Sequence, residues 1–156
     1  FAPALAAREK LTPEDVERRI DYVHGASMLV TKSWMDNVGL MSEEYFLYFE
    51  ELEWMRRAEG KYTMAHAESS IVYHKGSQSI GDSSDIGKRS YVCDYYYARN
   101  RLLFTRKYYS YLLPSIYLIL ILDIFRRILK RQPDRAWMIA SLLWGKNDLG
   151  GGQDRL

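Results

Sequence analysis

The sequence predicts an α/β chain whose back third is helical and membrane-associated. Three observations carry that reading. Short apolar runs bounded by small or polar residues, at 22–30, 62–66 and 70–74, read as strands. Capped, charged segments around them read as helices. From Tyr111 onward the chain turns apolar and then basic.

Taken in order, Thr12-Pro-Glu-Asp15 reads as a helix start, with Thr12 as the N-cap, Pro13 at the first position and acids in the first turn. Residues 22–30 are small and apolar around Gly25 and read as a strand or a strand and turn. Thr31 caps a helix over 32–38 that Gly39 closes. An aromatic segment, 43–49, leads into a helix over 50–59 that stops at Gly60. Two strands follow, joined by Ala67-Glu68-Ser69. Residues 76–87 are rich in Gly, Ser and Asp and read as a mobile loop. Residues 91–109 read as a helix with aromatic and arginine residues interleaved.

The character then changes. Residues 111–122 are apolar apart from Ser115, Asp123 interrupts the run, and Arg126-Arg-Ile-Leu-Lys-Arg131 ends it. A comfortable membrane span needs about 20 apolar residues. A tilted, re-entrant or interfacial helix fits this shorter run better. Basic residues just past an apolar helix are drawn to an anionic leaflet, and Tyr108, Tyr109, Tyr111 and Tyr117 supply interfacial rings. The competing reading is a core helix of a soluble domain. Residues 150–156 read as a flexible tail.

Bulk composition narrows the function classes. The chain opens on Phe1 rather than methionine, which predicts a fragment or a processed product. Residues 1–80 carry 9 basic and 13 acidic side chains, and residues 81–156 carry 13 and 7. The net charge of +2 is too small to predict a nucleic-acid binder, and the acidic front argues against one. Thirteen tyrosines suit half-wet surfaces such as clefts, interfaces and membrane boundaries. One cysteine, Cys93, excludes an internal disulfide and a cysteine-built zinc site, so a reducing compartment is the default.

Chemistry concentrates in two places. Glu50, Glu51 and Glu53 sit among aromatics at a helix start, where the helix dipole favours an ionised carboxylate that can take a proton from an attacking hydroxyl. Glu50 and Glu53 share a face and Glu51 points elsewhere. Acids also stabilise first turns with no further role. Later, His74 ends an apolar run and Lys75, Gly76 and Ser77 follow. The imidazole either ligates a metal or hydrogen-bonds the loop. The Lys-Gly-Ser run offers donors and a close backbone approach to a phosphate. The small turn Gly25-Ala26-Ser27 leaves room for a ligand or for close packing. Trp54 suits a sugar face or a core, and Arg99 a phosphate, a sugar or a solvated surface.

Four segments together resemble the C-terminal half of a family-two glycosyltransferase of the GT-A fold, close to rhamnosyltransferase-like enzymes of cell-surface polysaccharide synthesis. They are Asp21-Tyr-Val-His-Gly-Ala-Ser-Met-Leu-Val30, Val38-Gly-Leu-Met-Ser-Glu-Glu-Tyr-Phe-Leu-Tyr-Phe-Glu-Glu-Leu-Glu53, Tyr73-His-Lys-Gly76 and Tyr97-Ala-Arg-Asn-Arg101, in the family's order. The resemblance implies a partial GT-A domain over 1–107 lacking its N-terminal nucleotide-binding half, a membrane-associated helical region over 108–149, and a tail.

It further implies an inverting sugar transfer, possibly of rhamnose, from a nucleotide-sugar to a glycan or lipid-linked acceptor at the cytoplasmic face of the cell membrane. Glu51 would be the general base, with Glu50 supporting it. Gly25, Ala26, Ser27, Glu53, Trp54, Lys75, Gly76, Ser77 and Arg99 would line the substrates. His74 would be a ligand to Mg or Mn, an ion held mainly by the missing half. This segment alone is then expected to be inactive. The family's Glu-Asp-x-Asp reads here as Glu-Glu-Leu-Glu, one methylene longer at Glu51 and Glu53. A carboxylate moved by roughly 1 Å costs about a hundredfold in rate unless the pocket adjusts. The alternative to catalysis is a membrane-peripheral interaction module whose acids only cap helices.

Overall fold

The computed structural model of the chain describes residues 12, 15, 22–67, 69–73 and 89–145. The chain divides into two units, Phe1–Glu44 with Glu50–Lys75, and Tyr45–Phe49 with Gly76–Leu156. The described residues form helices α1 (Lys32–Val38), α2 (Glu50–Ala58), α3 (Tyr91–Tyr108), α4 (Leu113–Leu129) and α5 (Pro133–Leu143), with 3-10 turns at Gly25–Ser27 and Ser110–Leu112.

This overturns the α/β GT-A expectation: among the described residues there is no strand and no sheet. The runs at 22–30, 62–66 and 70–73 supply apolar side chains and, at Met28, extended backbone, but no neighbouring segment pairs with them. A strand exists only through a ladder partner. Without one, Ile71 and Tyr73 stand exposed. Nor is any helix of the described residues long and apolar enough to cross a membrane. The predicted loop at 76–87 and the tail at 150–156 lie outside the described residues, as does most of the first predicted helix. At its start, Thr12 Oγ1 accepts the Asp15 N–H at 3.2 Å while Asp15 Oδ2 accepts the Thr12 N–H at 3.2 Å. That reciprocal pair satisfies two backbone donors of a first turn.

In the first unit, α1 begins where Thr31 Oγ1 accepts the Trp34 N–H at 3.2 Å. It ends at Gly39, whose φ of 81° a side chain would resist. Trp34 and Val38 of α1 pack against Trp54, Met55 and Ala58 of α2. The two indoles meet edge to face, 5.7 Å between centroids, an arrangement the ring quadrupoles favour. Trp54 Nε1 donates to the Gly39 carbonyl at 2.8 Å. Arg57 donates to the carbonyls of Val38 and Leu40, both at 2.5 Å, and to Glu53 at 3.0 Å. A guanidinium is thus fixed at the carbonyl end of α1, where the helix dipole is negative. Tyr62, expected in a strand, instead ties its segment to α1, its hydroxyl donating to the Ser33 carbonyl at 2.8 Å.

In the second unit, Ser90 caps α3, its hydroxyl accepting the Cys93 N–H at 3.2 Å. Tyr95, Ala98 and Leu102 of α3, Leu120 of α4, and Met138, Ile139 and Leu142 of α5 form its core. Inside it lies an ion cluster. Asp94 is bonded by Arg127 at 2.8 Å and by Arg135. Arg127 also donates to Gln132 Oε1 at 3.0 Å, and Arg135 to the Arg89 carbonyl at 2.6 Å. The cluster joins the start of α3 to the end of α4 and the start of α5.

Candidate functional site

Two of the segments singled out in the sequence meet within the first unit. The Gly25–Ser27 turn opens with His24 Nδ1 accepting the Ala26 N–H at 3.1 Å and closes with the Ser27 N–H on the His24 carbonyl at 3.0 Å. The remaining donor of the turn, the Gly25 N–H, goes to Glu51 Oε1 at 3.0 Å. A Cβ on residue 25 would collide with that same oxygen. A side chain at position 25 would therefore displace the Glu51 carboxylate.

Glu50 and Glu51 lie in the first turn of α2 with Glu53. Glu51 is half-buried and takes its place from the Gly25 amide. Glu50 Oε2 is buried without a hydrogen-bond partner among the described residues. Burial raises the Glu50 carboxyl above the ordinary glutamate value, its own backbone amide partly offsets this, and the neighbouring Glu51 charge pushes the same way as burial. The folded chain holds this proton more tightly than the unfolded one, so stability falls as pH rises from the unfolded value, about 4.3, through the raised folded one. Glu50→Gln is expected to be more stable than the parent at pH 7. That advantage should vanish near pH 3.5, where the carboxyl is protonated in both states. Urea midpoints at the two pH values check this, and equal midpoints at pH 7 would contradict it.

Glu53 and Trp54 occupy a different setting. Glu53 is fully buried on Arg57, and Trp54 is buried against Trp34 with its indole N–H on Gly39. Both hold the first unit together. Ala26 and Ser27 are exposed on the turn. His74, Lys75, Gly76 and Ser77 lie outside the described residues. Among the described residues no three His, Cys, Asp or Glu side chains converge to hold a metal ion.

Arg99 belongs to the second unit and donates to Asn100 Oδ1 at 2.6 Å. Asn100 is a residue whose role the sequence did not disclose. Wholly buried, it donates to the carbonyls of Leu47 and Tyr48 at 2.8 and 3.0 Å. Tyr48 and Phe49 have φ of 65° and 71°, a conformation costing roughly 1–3 kcal/mol for a side-chain-bearing residue. Asn100 and the ring of Tyr97, 5.7 Å from Tyr48 and 6.1 Å from Phe49, hold that bend directly before Glu50 in the chain. An amide in the middle of an aromatic helix was the available signal. The role of His24 as the cap of the Gly25 turn could have been read from a polar residue preceding Gly-Ala-Ser.

Over 57 residues the chain is 35% identical to the low-salt glycan biosynthesis hexosyltransferase Agl10 of Haloferax volcanii. The match covers 36% of this chain and 17% of that relative, so the chain spans well under two thirds of the relative's length. This is a glycosyltransferase-like relationship over part of the chain. No family model and no solved structure matches it.

Proposed function

We propose that this chain is the acceptor-side segment of a glycosyltransferase that moves a hexose, rhamnose among the donors to test, from a nucleotide-sugar to a glycan or lipid-linked acceptor. The contact of Glu51 with the Gly25 amide carries the reading, since it seats a carboxylate at a small-residue turn. The similarity to a hexosyltransferase supports it.

In this reading the acceptor hydroxyl gives its proton to Glu51 as its oxygen bonds the anomeric carbon. The bond from that carbon to the diphosphate oxygen breaks on the opposite face, the electron pair leaves with the nucleoside diphosphate, and the configuration inverts. The Gly25 amide fixes one oxygen of Glu51 and leaves the other to take the proton. Glu50, held more readily protonated than an ordinary glutamate, supports the acceptor hydroxyl.

The test is transfer from a panel of labelled nucleotide-sugars by the intact protein that carries this segment, with the anomeric configuration of the product read by NMR. Inverted product from one hexose donor is expected. Retained configuration, or no transfer from any donor, would reject the reading. The segment alone is expected to be silent in the same assay.

A further inference from the structure

The side of α4 turned away from its core is as apolar as the side turned toward it. Leu120 and Arg127 face inward with Ile116, Tyr117 and Ile124 beside the core. On the opposite side Leu118, Ile121, Leu122, Phe125, Ile128 and Leu129 are exposed, Phe125 at 60% and Leu129 at 82%. A helix apolar all round has a second surface to bury. At 17 residues it is about 26 Å long, short of the roughly 30 Å hydrocarbon core. The charges say what covers it. The one acid of α4, Asp123, is turned toward Arg127, while Arg126, Lys130 and Arg131 at the far end are exposed. The exposed side is therefore apolar and cationic with no anion. Trp137 on α5 and Trp144 at its C-cap are also exposed.

We propose that this surface of α4 lies in the plane of a bilayer that contains anionic lipid, with the leucines, isoleucines and Phe125 among the acyl chains and the three cations at the headgroups. The pattern is that of an interfacial helix, a large apolar face with basic residues at its edge. A second copy of the chain is the less favoured occupant, because parallel pairing would bring two sets of these cations together. The inference stands apart from the catalytic reading, since it uses only α4 and α5.

The test is co-sedimentation of the 156-residue chain with phosphatidylcholine vesicles and with vesicles containing about one third phosphatidylglycerol. Binding to the anionic vesicles, at least tenfold tighter than to neutral ones, is expected. The triple variant Arg126→Gln, Lys130→Gln, Arg131→Gln should weaken it about 100-fold. The double variant Leu122→Glu, Phe125→Glu, at positions 53% and 60% exposed, should abolish it with an unchanged circular dichroism spectrum. Unaltered binding by the glutamine variant would overturn the proposal. So would absence of binding to the anionic vesicles, with or without a dimer in sedimentation that the glutamate variant splits. The glutamine variant alters only exposed side chains, so its result decides even if the glutamate variant misfolds.

Discussion

If Glu51 is the base proposed above, Glu51→Gln is expected to lower sugar transfer by the intact protein by about 10² to 10⁴, the usual cost of removing a general base. The substitution is close to silent structurally. Glutamine keeps an oxygen that can accept the Gly25 N–H now held at 3.0 Å, keeps the length of the side chain, and removes only the ability to take a proton. The thermal midpoint should stay with that of the parent, which separates loss of chemistry from loss of fold. Gly25→Ala approaches the same carboxylate from the other side. Its methyl would overlap Glu51 Oε1, so the acid must move, and a shift of roughly 1 Å is expected to cost about a hundredfold in kcat. Because Gly25→Ala acts through Glu51, the double variant should be no slower than Glu51→Gln. Full turnover by Glu51→Gln would show that the carboxylate only anchors the Gly25 turn.

Most helices were legible because local rules end them. Thr31 and Gly39 bracket α1, and the acids of the first turn open α2. Asp123 reads as a break in the apolar run, yet α4 continues through it to Leu129, since the carboxylate reaches toward Arg127 one turn on. α5 falls inside the region 108–149 read as helical but receives no bounds of its own there, although Pro133 at its first position and the spacing of Ala136, Ile139 and Leu142 supply a helical signal. The strands could not be settled from the chain itself. Alternating apolar residues state what a segment would do beside a partner, and among the described residues none is there.

The candidate site shows the same division. That Glu50 and Glu51 sit at a helix start is a local matter, and so is the tight turn at Gly25. That the turn hands its amide to Glu51, 26 positions away, follows from the packing of Trp34 on Trp54, which no spacing rule encodes. The burial of Glu53 depends on Arg57 finding the two carbonyls at the end of α1. A carboxylate among aromatics therefore reads alike in sequence whether it performs chemistry or holds a guanidinium in place.

Asp94→Ala is expected to destabilise the second unit by about 3–5 kcal/mol, the cost of stranding a buried charge. Arg127 is 2% exposed, and its ion pair with Asp94 at 2.8 Å lies within the core with Gln132 at 3.0 Å. Without Asp94 the guanidinium loses the carboxylate at 2.8 Å, and Asp123 lies farther off at 3.9 Å. Arg135 loses the same partner but keeps the Arg89 carbonyl and lies nearer solvent, so most of the effect runs through Arg127. This can be separated. Adding Arg127→Met to Asp94→Ala removes the stranded charge while keeping an unbranched apolar chain, and should recover about half or more of the loss, since apolar replacements of buried pairs are often neutral. Urea unfolding of the parent, the single and the double variant measures both steps. A double variant no more stable than Asp94→Ala would place the cost in Arg135 and the capping of α3, and would remove Arg127 from the account.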